Sequence, residues 1–212
     1  MRFCGEGAKK VIYTFILTGF LSGSILFGYF VTWQLKHVDI REISEDENPG
    51  TYNAFVHGGF ICGFLTLLGD LLKGYLPVAL CRNILGMQSP LFSLVMAAPV
   101  FGHGFSAFHG TRGGKGIAVS FGVFLGLLPL WQPVALLAFF YLLFSLAFPV
   151  KSHRKRSIIT FLCFLGSCVL MIKEQSVVMG SVLISVIVIY KHHTEQKKSR
   201  RLQSREYNIR KR

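Results

Sequence analysis

The sequence predicts an all-α polytopic membrane protein of about seven transmembrane helices, each needing roughly 20 apolar residues to cross the hydrocarbon layer. Hydrophobic residues make up 51% of the 212-residue chain, only 10 residues are acidic, and the apolar residues fall in long runs nearly free of charge. We predict one transmembrane domain at residues 1–191 and a basic cytoplasmic tail at residues 192–212. The N-terminus is expected outside and the C-terminus in the cytoplasm.

Seven apolar segments are candidates for these helices. The first, Val11–Trp33, contains no charged residue, and the second, Ala54–Gly69, continues toward Leu80 past Asp70 and Lys73. Ionisable side chains within a span are costly, but a pair at positions i and i+3 can neutralise itself, so Asp70 and Lys73 are either a structural ion pair or line a substrate path. The other five candidates are, in chain order, Pro90–Phe108, Ile117–Leu130, Gln132–Val150, Ile158–Ile172 and Val177–Tyr190.

The distribution of basic residues predicts the orientation. With the N-terminus outside, 17 of the 23 Lys and Arg residues fall on the cytoplasmic side, which is the usual charge bias of membrane proteins. The basic tail after Tyr190 suits an anionic lipid surface. Nucleic-acid binding is the rival interpretation of such a tail, but the chain has no recognisable nucleic-acid-binding module. We therefore expect membrane lipid, and no nucleic acid, as a partner.

A short polar loop, GHGFSAFHGTRGGKG at residues 102–116, lies between two apolar segments. Its glycines allow backbone amides to approach an anion closely, and Arg112 and Lys115 supply positive charge. A helix starting near Ile117 would add its own free amides. Gly116 stands where a nucleotide-binding P-loop has Ser or Thr to hold magnesium, which disfavours a nucleoside triphosphatase. The loop therefore predicts phosphate binding at a membrane surface.

Metal binding is not predicted. His103 and His109 have no Asp, Glu or Cys beside them in the loop, and the five cysteines lack the spacing of a ligand set.

Four polar segments share the predicted cytoplasmic face, so distant parts of the chain can form one site there. They are Asp39–Asn53, His103–Gly116, Lys151–Ser157 and the residues from His192 onward. In the first, asparagines and a Pro-Gly pair suit a tight turn and a helix N-cap. An acidic loop with no function beyond helix entry is the alternative interpretation of that segment.

From about Ser22 to Glu195, the chain resembles the bacterial acyl-phosphate:glycerol-3-phosphate acyltransferase family. Gly23–Tyr29 is similar to the family's GSIPFGY, and Gly102–Gly116 is similar to GHxFPVFxxFKGGKG. The resemblance extends through Asp39–Glu42, through Asn48, Gly50 and Asn53, and through Asp70–Gly74.

The resemblance implies a multi-pass protein of the bacterial inner (plasma) membrane with its active face in the cytoplasm. The implied reaction transfers a fatty acyl group from acyl-phosphate to glycerol 3-phosphate, giving lysophosphatidic acid and phosphate with no metal or other cofactor. Lys115 and His192 are the implied catalytic residues. The expected phosphate- and substrate-binding residues are Asn48, Gly50, Asn53, His103, Gly113, Gly114, Gly116 and Ser157, and Arg41, Asp46, Asp70 and Lys73 are expected to line the site.

The chain departs from the family pattern at three positions: Asp46 replaces a serine, Val56 an arginine and Glu195 an asparagine. The first two changes make a phosphate site less favourable, because they add a negative charge and remove a positive one. Two alternatives therefore stay open. One is a membrane homologue with altered or no catalysis and a binding role, and the other is a small anion transporter.

Overall fold

The computed structural model describes residues 5–110 and 112–210, and their side chains as far as residue 194. Every regular element in this part of the chain is helical, which confirms the all-α prediction. The helices are α1 (Glu6–Ser24), α2 (Phe27–Lys36), α3 (Ile40–Ile43), α4 (Thr51–Leu85), α5 (Phe92–Gly104), α6 (Ile117–Leu125), α7 (Gln132–Leu142, continued by a π-turn at Leu143–Ala147), α8 (His153–Met171) and α9 (Gln175–Arg210).

The first predicted span, Val11–Trp33, is not one straight helix. It is divided between α1 and α2, which are bent by 40° at the break. A helix end leaves carbonyl groups without intrahelical partners. At this break the buried ammonium of Lys73 donates to the carbonyl of Ile25 at 2.6 Å. The segment contains no proline, so its sequence does not predict the break. The side chain that stabilises the break comes from α4.

By length and composition, two helical segments of the described chain can each cross a membrane: Thr51–Leu85 and Gln175–Thr194. The bent pair α1–α2 is a third if it counts as one span, while α5 and α7 are apolar but shorter. The seven-span count and the orientation of the termini therefore stay predictions. Helix α9 continues without interruption through residue 192, where the tail was predicted to begin.

Glycines allow two pairs of helices to touch backbone to backbone. Where α1 crosses α5, a Cβ atom added at either Gly23 or Gly102 would collide with a carbonyl oxygen of the opposite helix. A Cβ atom added at Gly74 or Gly122 would likewise collide with a carbonyl oxygen of the opposite helix where α4 crosses α6. Small residues at crossings are typical of membrane helices, which gain packing contacts when their axes come close.

The interior and the exterior of the bundle are both apolar. Phe92, Phe124, Phe161 and Phe164 from α5, α6 and α8 are fully buried in the core. On the outside, Leu170 is 86% exposed, and many other large apolar side chains face outward too. A water-soluble protein rarely exposes so many large apolar side chains, so this exterior suits contact with lipid.

Candidate active site

The loop between α3 and α4 is organised around the carboxylate of Asp46. Its Oδ1 accepts hydrogen bonds from the backbone N–H of Asn48 at 3.3 Å and from Nδ2 of Asn53 at 2.7 Å. The same Asn53 nitrogen also donates to the Asn48 carbonyl at 2.8 Å. Asn53 therefore ties the loop to the first turn of α4, and its amide group is used within the protein.

The glycine loop packs against the end of α5. The N–H of Gly114 donates to the carbonyl of His103 at 2.9 Å. A Cβ atom at Gly113 would collide with that carbonyl oxygen, and one at Gly114 would collide with Nε2 of His103. Gly116 has φ +80° and is the N-cap of α6, a conformation that favours glycine. These glycines let the loop fold closely over His103.

Lys115 joins the two loops. Its Nζ lies 2.5 Å from Oδ2 of Asp46, and the side chains are 20% and 40% exposed respectively. Partial burial opposes ionisation of Asp46, but hydrogen bonds and charge from Lys115, with support from Asn53, keep its pKa below the ordinary value of 3.8. Asp46 is therefore ionised at neutral pH, and Lys115 already has a carboxylate partner.

A second Asp–Lys pair lies deep between α4 and α5. Lys73 Nζ is 2.8 Å from Oδ1 of Asp70, and both side chains are almost fully buried. The same nitrogen lies 2.9 Å from Nδ1 of His103. Because an ammonium group can only donate, Nδ1 of His103 accepts, and the proton of the neutral ring is assigned to Nε2.

One cavity of about 400 Å³ collects most of the residues singled out in the sequence. Leu67, Ile117, Ala118 and Phe121 give it an apolar wall. The predicted residues that line it are Asp46, Asn48, Gly50, Asp70, His103, Lys115, Gly116, Ser157 and His192. Asn53, Gly113, Gly114 and Lys73 do not line it and instead hold the surrounding elements in place.

Arg41 lies in a different cavity, of about 800 Å³, with Glu47 and Arg112 among its lining residues. Its guanidinium donates to both carboxylate oxygens of Asp39, with Nη2 at 2.6 Å from Oδ2, and stacks 4.0 Å from the centre of the Tyr29 ring. The hydrogen-bonded Arg41 lowers the pKa of Asp39, although partial burial opposes the shift. Arg41 therefore does not belong to the 400 Å³ cavity.

The first turn of α8 adds lining residues that the sequence reasoning missed: His153, Arg154 and Arg156. Partial burial, followed by the charges of Arg156 and Lys115, lowers the pKa of His153, so its ring is neutral at pH 7. The segment Lys151–Ser157 was expected to contribute to a common site on the cytoplasmic face, but of its residues only Ser157 was singled out as a candidate. Val56, at the position of the family arginine, is 57% exposed and does not line the cavity.

His192 has one ring nitrogen directed into its own helix. Nδ1 lies 2.8 Å from the carbonyl oxygen of Val188. A carbonyl can only accept, so Nδ1 carries the proton and Nε2 of the neutral ring is an acceptor. Ser157, also on the cavity wall, donates through its hydroxyl to the carbonyl of His153 at 3.0 Å.

The protein is a helical bundle with an apolar exterior. Its cavity has lysine and arginine on one side and apolar residues on the other. These features define a membrane protein suited to an anionic, partly apolar ligand. The sequence model of the glycerol-3-phosphate acyltransferase family matches residues 13–201 of the chain. The chain belongs to the glycerol-3-phosphate acyltransferase family, which confirms the resemblance inferred from its motifs.

Individual relatives agree with this assignment. The chain is 32% identical to the glycerol-3-phosphate acyltransferase of Chromobacterium violaceum, over 85% of this chain and 87% of that protein. It is 33% identical to the enzyme of the same name from Endomicrobium trichonymphae, over 89% and 91%. Crystal structures of PlsY (YgiH), an integral membrane glycerol 3-phosphate acyltransferase, in its glycerol 3-phosphate and lysophosphatidic acid forms, match with TM-scores of 0.77 and 0.76 at 25% identity, each covering 92% of this chain and 93% of PlsY.

Proposed function

We propose that this protein transfers a fatty acyl group from acyl-phosphate to glycerol 3-phosphate, releasing phosphate and forming lysophosphatidic acid. The observation that carries the proposal is the convergence of Lys115, Ser157 and His192 on one cavity that also has an apolar wall. The family membership and the glycerol 3-phosphate and lysophosphatidic acid forms of PlsY support the acceptor and the product.

The reaction requires little bond activation from the protein. Acyl-phosphate is a mixed anhydride, whose carbonyl carbon is open to attack by the primary hydroxyl of glycerol 3-phosphate. A new C–O bond forms to the glycerol oxygen, and the C–O bond to phosphate breaks with its electron pair on the leaving phosphate. The protein must hold two anionic substrates together and receive the hydroxyl proton.

Lys115 is suited to bind phosphate. The residue lies two positions before the first residue of α6, whose first amides favour an anion. Its present partner, Asp46, is 40% exposed, so a phosphate group can approach the same ammonium from the cavity. In this scheme the substrate phosphate exchanges with the Asp46 carboxylate.

His192 is suited to receive the hydroxyl proton. Its Nδ1–H is held by the Val188 carbonyl, which leaves Nε2 as the acceptor on a residue that lines the cavity. A neutral imidazole held in one tautomer is the usual form of a general base. The proton then passes from the imidazolium to the departing phosphate.

The acyl chain would lie along the apolar wall formed by Leu67, Ile117, Ala118 and Phe121. We further propose that the chain crosses the membrane seven times, with its N-terminus outside. The cavity then faces the cytoplasm, where both substrates can reach it. The charge bias that predicted this orientation supports the assignment.

The test is phosphate release by the purified protein in lipid nanodiscs supplied with palmitoyl-phosphate and glycerol 3-phosphate. We expect release that depends on glycerol 3-phosphate and is matched by lysophosphatidic acid. Lys115→Ala should lower kcat/KM by about 10²–10³-fold, the typical effect of removing one charge-stabilising donor.

Lys155→Ala is the matched control, because Lys155 is exposed and does not line the cavity; it should leave the rate within about twofold, as for other exposed surface changes. Folded wild-type protein that turns over no acyl-phosphate with glycerol 3-phosphate would refute the proposed reaction. The non-catalytic binding homologue would then be the better description.

A further inference from the structure

Lys115, which lines the cavity, is already matched by a carboxylate, but two arginines that also line it have no carboxylate partner among the described residues. Lys115 is paired with Asp46, and Lys73 with Asp70. Arg154 and Arg156 also line the cavity. Within the described part of the chain, no carboxylate oxygen lies within 4 Å of either guanidinium. The uncompensated positive charge of the cavity therefore lies on α8.

Arg154 has a buried group that lacks a partner. Its Nε has no hydrogen-bond acceptor among the described residues. Thr51 lines the same cavity, and its buried Oγ1 also has no hydrogen-bond partner among the described residues. A buried donor without an acceptor is destabilising, and more so when it is charged. A ligand with several acceptor oxygens at this wall would satisfy the guanidinium.

Arg156 is held in position by a neutral neighbour. One of its terminal nitrogens donates to Nδ1 of His153, which orients the guanidinium without neutralising it. The two arginines belong to the first turn of a 19-residue helix whose N-cap, Ser152, accepts from the N–H of Lys155. The helix dipole adds positive potential at this end.

We propose that Arg154 and Arg156 form a second phosphate-binding position in the cavity, separate from Lys115, that holds the phosphate group of one of the two substrates. This inference rests on the proposed function, in which two phosphate groups occupy the cavity together. Guanidinium groups suit such a role because their planar donors can bind two phosphate oxygens at once. Lys115 and the arginines would each then neutralise one substrate.

The test compares Arg154→Gln, Arg156→Gln and the double variant with Lys155→Gln in steady-state kinetics, varying palmitoyl-phosphate and glycerol 3-phosphate separately. Lys155 lies in the same helical turn and loses the same charge, but its side chain is exposed and does not line the cavity. Each arginine variant should raise KM for one substrate by roughly 10- to 100-fold, as expected for losing charge-assisted hydrogen bonds, with kcat nearly unchanged. Lys155→Gln should change neither KM by more than about twofold.

The two kinetic arms identify the phosphate. A rise confined to the KM for glycerol 3-phosphate assigns the arginines to the acceptor, and a rise confined to palmitoyl-phosphate assigns them to the donor. Arg156→Lys should recover only part of the loss, because an ammonium keeps the charge but not the planar donor pair. Unchanged KM values in the double variant, or an equal effect of Lys155→Gln, would overturn the inference.

Calorimetric titration with glycerol 3-phosphate and with inorganic phosphate separates this inference from the proposed reaction. If the wild type binds phosphate without turnover and the double variant does not bind it, the arginine site stands and the reaction fails. If the double variant binds phosphate as tightly as the wild type, the arginine site is refuted, whether or not turnover occurs. Folded wild-type protein that neither turns over nor binds either anion would refute both.

Discussion

Two Asp–Lys pairs in this protein have the same chemistry and opposite surroundings. The Asp70–Lys73 pair is 2% and 3% exposed and lies between helices, whereas the Asp46–Lys115 pair is 40% and 20% exposed and lies between loops. Lys73 also donates to the carbonyl at the α1–α2 break and contacts His103. Lys115, by contrast, contacts a carboxylate that is partly open to solvent, where we propose that substrate phosphate takes its place.

Burial distinguishes an ion pair held among packed helices from one that solvent can reach. A buried ion pair is weak evidence for net stabilisation, but removal of one partner leaves a buried charge without compensation. An exposed pair contributes little to stability, because solvent screens it. The same pair of residue types is therefore buried among packed helices in one place and partly open to solvent in the other.

The largest expected effect comes from breaking the buried pair. Lys73→Met should lower the free energy of unfolding by about 3–5 kcal/mol, because Asp70 would remain buried without its partner. The midpoint of thermal unfolding in detergent micelles measures the loss. The double variant Asp70→Asn, Lys73→Met should recover part of it.

Lys173→Met, at an exposed lysine, is the control for the general loss of a positive charge. A Lys73→Met variant as stable as this control would show that the buried pair does not hold the helices together.

A change between the two regions should affect both. Gly114→Ala would place a Cβ atom against Nε2 of His103, and overpacking of this kind costs about 1–3 kcal/mol. We expect a lower unfolding midpoint together with a higher KM, because the glycine loop that carries Lys115 must move. Gly166→Ala, where nothing lies within 4 Å of the added atom, should change neither; equal effects of the two substitutions would contradict this link.

At the exposed pair, Asp46→Ser should improve substrate binding. It removes the carboxylate that competes with substrate phosphate for the Lys115 ammonium, and exposed pairs are worth about 0.2–1 kcal/mol, so KM for the substrate whose phosphate Lys115 binds should fall roughly two- to fivefold. Glu45→Ser, at an exposed acid that does not line the cavity, controls for the loss of negative charge nearby. A rise in KM for Asp46→Ser would mean instead that Asp46 helps to hold the substrate.

The smallest expected effect is on the pH dependence of stability. The pKa of Asp46 is below its unfolded value of 3.8, so the folded state binds fewer protons and its stabilising contribution is present above that value. It is lost as the pH falls through the lower, folded pKa. The wild type should exceed Asp46→Asn in stability by less than about 1 kcal/mol at neutral pH, and thermal unfolding in acid should show the gap closing. A gap independent of pH would exclude the ion pair as its source.

Much of the fold and part of the site could be predicted from the sequence. The apolar runs predicted helices, and the family motifs predicted the relatives. The 400 Å³ cavity brings Lys115, Ser157 and His192 together, as the predicted common face required. Glu195 lies beyond the described side chains, so its predicted effect stays untested by the structure.

Other features could not be predicted, because they depend on contacts between distant residues. The break in the first span depends on Lys73, 48 residues away from Ile25. The basic run at residues 153–156 has the same composition whether its side chains point into the cavity or into the surrounding solvent. Only the packing of α8 directs Arg154 and Arg156 to the cavity and leaves Lys155 exposed.

The sequence was enough to predict a helical chain, membership of a membrane acyltransferase family and a glycine-rich loop that contains a lysine. Those properties depend on composition and on the order of neighbouring residues, and both can be taken directly from the sequence. The folded structure shows which charges neutralise one another, such as Asp46 and Lys115 across 69 residues, and which arginines line the cavity with no carboxylate partner among the described residues. The strength of an electrostatic interaction depends on the distance between the two charges and on their burial, and the number of residues between them predicts neither.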